Sequence, residues 1–349
     1  MQSDMLEKCI EKCIGISQSH FLNVLYKDLT IDQIYGVDGI GNKASRICHY
    51  CSVDVLKNIL ENESLRFSDV RFLNDSTEFI EIIPLVKYVA QHEEYASEFI
   101  DMILNDSLIK ELESYRQPYI GKEKNTQNYV EKVYRTYTCS FSTNIDSLTM
   151  WNYYATSGSG VNLIFDFAWN LFEGSDISEV NNSSHLENDI TICRGLVLYQ
   201  RMDKQKCIKA LLDNLYEVYL QEDTIEKCQS HIQWAFKEAI NNMRCFFKND
   251  SFSCENEYRV ILKIPEELLL EETTGQDGIL KKGQFKRGNI LIPYVDYKFK
   301  RDSLKEITLN PYVKEKESVF ELGIRELLWQ NKIHNVQIYR SAIPMRKYF

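Results

Sequence analysis

The sequence has no run of about 20 apolar residues, the length a membrane-spanning helix needs. Its opening, Met1-Gln2-Ser3-Asp4-Met5, is polar and acidic, and no apolar h-region follows. No secretory signal is therefore read there. Without an export signal the ten cysteines are expected to be reduced thiols, many of them small apolar groups in the core. There is no internal repeat and no low-complexity tract, so a repeat array is not expected. Positive charge is in short supply, with 41 Lys and Arg against 51 Asp and Glu and a net charge of −10. That balance opposes a broad, non-specific grip on nucleic acid. A soluble, cytoplasmic chain with no membrane partner is expected.

The chain that remains is an ordinary globular one. Of its 349 residues, 44% are hydrophobic and 26% charged, a core large enough to need no disulfide or metal staple. Helical spacing at Leu6, Cys9, Ile10, Cys13 and Ile14 predicts a helical segment within 1–45. A single α+β domain is expected over 46–346, with helical insertions near 94–131 and 204–247. Within it, 46–50 reads as a short strand and Ser52 as the N-cap of the next helix. Leu65-Arg66-Phe67-Ser68 reads as extended. Asp75 with Glu78 has capping-box spacing. Strands are predicted at 134–141, 161–167, 195–199, 257–264, 290–295, 306–309 and 336–339. Gly158-Ser159-Gly160 reads as a turn and 181–184 as a loop. The basic pairs Lys281-Lys282 and Lys286-Arg287, with the run Lys298 to Arg301, read as a solvated loop. Irregular strand spacing favours α+β over a doubly wound sheet.

Three islands of polar residues stand out. The first is His49-Tyr50 at the end of a strand, with Asn74 and Asp75 downstream. A histidine there can meet a ligand hydroxyl while a backbone carbonyl holds its ring. Cys48 and Cys51 bracket it as one CxxC, which without a second ligand pair does not specify zinc, and no metal is expected. The second island is Ser140 and Ser142, two apart and so on one strand face, followed by Trp151 and Tyr154 on one helical face. Two hydroxyls beside two aromatic rings suit a ligand that is part sugar and part flat ring. Ordinary core packing of the rings explains them equally well. The third is Glu255-Asn256-Glu257-Tyr258-Arg259. As a strand it turns Glu255, Glu257 and Arg259 to one side and Tyr258 to the other. Two like charges on one face need a cation nearby, and Arg259 can supply it. A structural salt ladder accounts for that island taken alone.

Taken together the islands resemble a known bacterial family. His49-Tyr50-Cys51-Ser52, Phe72-Leu73-Asn74-Asp75, Ser140-Phe141-Ser142, Met150-Trp151 with Tyr154, Gly160 before a strand, Glu255-x-Glu257-x-Arg259, Ile307 to Pro311 and Ser341 to Arg346 look like the motifs of the domain-of-unknown-function family twenty-nine seventy-one. Their order is also similar to that of the ADP-ribosyltransferase superfamily, at the level of fold analogy.

That second resemblance implies a split β-sheet core. It also implies an enzyme that binds NAD as substrate and transfers ADP-ribose to a protein or nucleic acid, as a toxin or phage-defence effector, or to water as an NAD glycohydrolase. It assigns His49 to a ribose hydroxyl and Ser140 and Ser142 to bracing the site. Trp151 or Tyr154 would stack on nicotinamide, and Glu257 would be the catalytic carboxylate with Glu255 as its neighbour. Tyr50, Asn74, Asp75 and Arg259 are counted with the NAD-binding set. A non-catalytic nucleotide sensor, a module docking a regulatory protein, and a metal-dependent nuclease using Asp75, Glu78, Glu255 and Glu257 remain open.

Overall fold

The computed structural model describes residues 8–13, 15–16, 46–75, 77–114, 119–125, 128–155, 160–166, 171, 190–221, 225–270, 280–313 and 318–345. The expected turn residues 158–159 and loop 181–184 lie outside them, as do most of 1–45, although 8–13 is helical. In chain order the elements are β1 (Arg46–Ser52), α1 (Val53–Asn62), β2 (Ser64–Asp69), α2 (Ile82–His92), α3 (Ser97–Ile103), α4 (Asp106–Glu113), β3 (Tyr119–Asn125) and β4 (Asn128–Ser142). They continue with α5 (Leu148–Tyr154), β5 (Gly160–Asp166), β6 (Thr191–Leu196), α6 (Arg201–Tyr219), α7 (Ile225–Met243), β7 (Glu257–Pro265) and α8 (Glu266–Leu270). Last come β8 (Leu280–Arg287), β9 (Ile290–Lys298), β10 (Leu304–Leu309), α9 (Val319–Gln330) and β11 (Gln337–Arg340). The class is α+β. No helix among the described residues is long and apolar enough to cross a membrane.

The chain forms two compact units. One comprises Met1–Ile31, Leu73–Tyr119 and Val197–Ser253, and the other Asp32–Phe72, Ile120–Leu196 and Cys254–Phe349. The first is helical. The stripe Ile208, Leu211, Leu212, Leu215 and Val218 of α6 is buried, as its helical spacing requires. Tyr95, Phe99, Tyr216 and Tyr219 pack ring against ring beside it. The Lys204 ammonium is buried, and its charge is met by Glu81 at 2.8 Å and the Lys248 carbonyl at 2.7 Å. Asp75 forms no capping box. Its carboxylate accepts from the Thr77 backbone N–H and hydroxyl, a local Asx turn, and the helix α2 begins only at Ile82. The turn competes with the cap for the same carboxylate.

The second unit holds an eleven-stranded sheet with path β11-β10-β5-β1-β4-β2-β9-β8. β7 pairs with β4 and β6. β4 is its axis. One edge of β4 is taken by β7 from Tyr134 to Ser142. The opposite edge is shared, by β1 at Ser142 and by β2 at Tyr137 and Thr138. The sheet is therefore split on that side, with α1 bridging β1 to β2 and capped by the Ser52 hydroxyl as expected. One face carries the main core, including Ile47, Cys51, Phe67, Cys139, Phe141, Leu163, Phe165, Tyr258, Val260 and Val295.

Three stretches differ from the sequence expectation, the first being the strand expected at 195–199, which is β6 at Thr191–Leu196 with an isolated bridge at Leu198 beyond it. Residues 119–125 and 128–131, within the stretch predicted as a helical insertion, form β3 and the start of β4. The basic run from Lys281 is not a loop but strand β8. It turns into β9 through Gly288-Asn289, where Gly288 supplies φ +58 for a two-residue hairpin.

Candidate functional site

Register decides which of the three islands share a face, since residues directly opposed across a ladder project the same way. Ser142 stands opposite both Cys48 of β1 and Glu257 of β7, and Ser140 stands opposite Arg259. Ser140, Ser142, Glu257, Arg259, Cys48 and Tyr50 thus lie on one face. On that face Tyr50, Cys48, Met150, Trp151 and Ala155 form a small apolar cluster. The Trp151 ring meets Tyr50 edge-on at 4.9 Å. The second and third islands meet, and Tyr50 joins them.

His49 does not. Alternation along β1 turns it to the main-core face, where its ring lies 5.8 Å from Phe141. Its Nδ1 is 3.0 Å from the Ser140 carbonyl, at the point where β4 passes from β1 to β2. A carbonyl only accepts, so Nδ1 carries the proton and Nε2 the lone pair. Burial pulls the imidazole below its ordinary pKa, with the Ser140 carbonyl opposing. His49 is thus a neutral group that fills the split. The arrangement in one cleft with Glu257 expected from sequence is not what β1 dictates. Asn74 and Asp75 belong to the helical unit.

Glu257 and Arg259 are 3% and 1% exposed, and they pair through two hydrogen bonds, 2.6 Å from Nε and 3.0 Å from the second nitrogen. The face assignment made from sequence is correct for these two residues. It fails for Glu255. Asn256 adopts φ +41, a left-handed conformation that ends the strand, so Glu255 sits in a 3₁₀ turn instead of on β7. The turn still brings it to the same corner. Its carboxylate accepts the Tyr154 hydroxyl at 2.7 Å, and its carbonyl accepts the Ser142 hydroxyl at 2.6 Å. Tyr154 is 39% exposed, whereas Trp151, one turn earlier, is 2% exposed. Of the two rings, Tyr154 is the one that reaches solvent, and Trp151 is its foundation.

Cys48 and Cys51 project to opposite faces, in different apolar clusters, so they cannot grip one ion together. Burial pushes both thiols up to about 12. Among the described residues no group of three or more His, Cys, Asp or Glu side chains is placed to hold a metal.

Two supporting residues carried no local sequence signal. The Asn144 carbonyl accepts the Tyr50 hydroxyl at 2.7 Å. Asp146 accepts the Trp151 indole N–H at 2.7 Å, the Ser341 hydroxyl at 2.7 Å and the Ala342 backbone N–H at 2.8 Å. One carboxylate thus ties α5 to the segment 341–345. Hydrogen bonds to a charged group are worth about 1.5–3 kcal/mol each when buried. Asp146 is exposed, so replacing it with alanine is expected to cost about 2 kcal/mol in all. The sharper readout is faster amide exchange at Ala342 and quenched or shifted Trp151 emission. Unchanged exchange at Ala342 would refute the tie.

Residues 150–260 match a family described as Protein of unknown function (DUF2971). The matched stretch runs from Met150 through β7 and so contains Trp151, Tyr154, Glu255, Glu257 and Arg259, which supports the resemblance to that family. Comparison with curated proteins and with solved structures returned no match.

Proposed function

We propose that the second unit is ADP-ribosyltransferase-like, binding NAD and cleaving its nicotinamide bond, with Glu255 as the acting carboxylate. The observation that carries this reading is the corner where α5 meets the turn before β7. There a half-exposed phenol ring holds a carboxylate, and Ser142 locks the turn that bears it. The shared edge of β4 is compatible with a split-sheet core.

In this reading the Tyr154 ring stacks on the flat nicotinamide or packs against the sugar. The bond from the anomeric carbon to the pyridinium nitrogen breaks and its electron pair leaves with neutral nicotinamide. The Glu255 carboxylate stabilises the cationic sugar left behind. An acceptor oxygen then bonds to the anomeric carbon and gives its proton to Glu255. Glu257 is a support here, since its charge is already met by Arg259 in a buried pair. His49 has no part, because it projects from the other face.

The closed Glu257–Arg259 pair favours a second reading, in which the same corner binds NAD without turning it over. One experiment separates the two. Nicotinamide release is measured by chromatography on the purified full chain, and NAD binding by calorimetry. Release that falls about a hundredfold in Glu255→Gln, the scale for loss of a preorganised transition-state partner, supports catalysis. Binding without release selects the second reading. Neither binding nor release would sink both.

A further inference from the structure

β2 is shorter than the strands on either side of it. It ends at Asp69, opposite Tyr137 of β4, and its last partner on β9 is Tyr294, opposite Ser68. The Asp69 carboxylate accounts for the stop. It accepts from the Arg71 backbone N–H at 3.0 Å and from the Arg71 guanidinium at 2.8 Å, which folds the chain back into the 3₁₀ turn Val70–Phe72. β4 and β9 run on past that point with no strand between them. A cavity of about 460 Å³ is lined from both sides of the gap, by Arg135 and Tyr137 of β4 and by Pro293 of β9. Glu266, Leu269 and Leu270 of α8 line it as well. No residue of the Tyr154–Glu255 corner does.

Tyr137 and Arg135 are two apart on β4, so they leave one face of it about 7 Å from each other. The Tyr137 ring packs in the main core and the residue is 4% exposed. Its hydroxyl makes no hydrogen bond among the described residues, yet it is not sealed from solvent, because it opens on the cavity. Buried hydroxyls are normally partnered. Burial, with Asp69 next in effect, pushes the phenol up to about 12, so at neutral pH it keeps its proton and can donate. Arg135 donates to one oxygen of Glu266, from Nε at 3.0 Å and also from Nη2. Its Nη1 makes no hydrogen bond among the described residues. The ion pair explains Arg135 and Glu266. It does not explain a phenol kept in the core with its donor turned to an open space.

We infer that this cavity binds a small carboxylate with an apolar body. The carboxylate accepts from the Tyr137 hydroxyl and from Arg135 Nη1, and bonds to a charged acceptor are the stronger kind. Glu266 keeps its own bonds to Nε and Nη2, so the ligand displaces nothing. The apolar body lies against Leu269, Leu270 and Pro293. Leu270 is 76% exposed, and covering it adds apolar burial. Lys282 donates to the Leu269 carbonyl and so ties the α8 wall to β8. The volume falls within the range of about 300–1,000 Å³ found for small-molecule pockets. The inference does not depend on the NAD reading.

The test uses the full chain without NAD, with benzoate and hexanoate as probes and benzamide and hexanol as their neutral counterparts. Binding is read by saturation-transfer NMR and titration calorimetry. At least one carboxylate is expected to bind, and its neutral counterpart to bind at least about tenfold more weakly. Tyr137→Phe removes only the hydroxyl and is expected to weaken binding at least about tenfold, the scale for one hydrogen bond to a charged group, with thermal unfolding checking its fold. Gln284→Trp, at an exposed position on the cavity wall, is expected to abolish binding by filling the space. No binding of either carboxylate by the wild type overturns the inference, since the hydroxyl is then satisfied by water alone. Equal binding of the neutral counterparts overturns the carboxylate assignment. Binding that either variant leaves unchanged places the ligand elsewhere and overturns the site.

Discussion

Replacing Arg259 with methionine is expected to destabilise the sheet unit by about 3–5 kcal/mol, the cost of leaving a buried charge without its partner. Arg259 is the largest of the fully buried side chains among the described residues, and Glu257 beside it is 3% exposed. In the intact protein the two desolvated charges meet through two hydrogen bonds. Removing the guanidinium takes from the buried Glu257 carboxylate the cation that meets it through two hydrogen bonds. The pair itself contributes far less than either half costs when orphaned, because both charges were stripped of water on folding. Converting both positions to apolar residues, Glu257→Leu with Arg259→Met, should thus recover a good part of the loss. Urea unfolding of the two variants, with amide exchange in β4 and β7, measures the difference. Equal losses in the single and double variants would show that Glu257 is not what Arg259 neutralises. The outcome also bears on function. A carboxylate held this tightly is a poor candidate for attack chemistry unless the pair opens, which is why Glu255 is assigned that role.

Gly160→Ala is expected to cost about 3 kcal/mol, the upper part of the range for overpacking. A Cβ at Gly160 would fall 2.3 Å from the Ala155 carbonyl oxygen, 2.4 Å from its Cβ and 2.5 Å from its Cα. Two of those three atoms are backbone, and none is the end of a flexible side chain. Ala155 is the C-cap of α5, its N–H bonded to the Trp151 carbonyl at 3.3 Å. Gly160 pairs with Ser52, the cap of α1. The added methyl must push β5 away from β1 or push the end of α5 outward, and α5 bears Tyr154. The variant should accordingly lose the Tyr154–Glu255 contact along with stability. Thermal unfolding checks the first effect, and NAD binding compared with Tyr154→Phe checks the second. Stability within about 0.5 kcal/mol of wild type, the range of neutral surface changes, would mean that the close approach is relieved at no cost.

Much of the local structure was legible in the residues themselves. The alternation Tyr258, Val260, Leu262 against Glu257, Arg259 reports a strand with one core face, whatever it pairs with, because side chains on a strand alternate. Ser52 caps α1 and the α6 stripe is buried for equally local reasons. The pairing of Glu257 with Arg259 also follows from spacing alone. Three things required the tertiary structure. Glu255 leaves the strand because Asn256 turns left-handed. The basic run at 281–287 is a strand because it lies against β9, and its composition alone reads as solvated. His49 and Glu257 fall on opposite faces because β1 and β7 flank β4 in one particular register, in which Cys48, not His49, stands opposite Ser142. A shift of one residue would have put His49 opposite Ser142, on the same face as Glu257 with β4 between them. Register is set by how distant segments pack, so no pattern within a single strand encodes it.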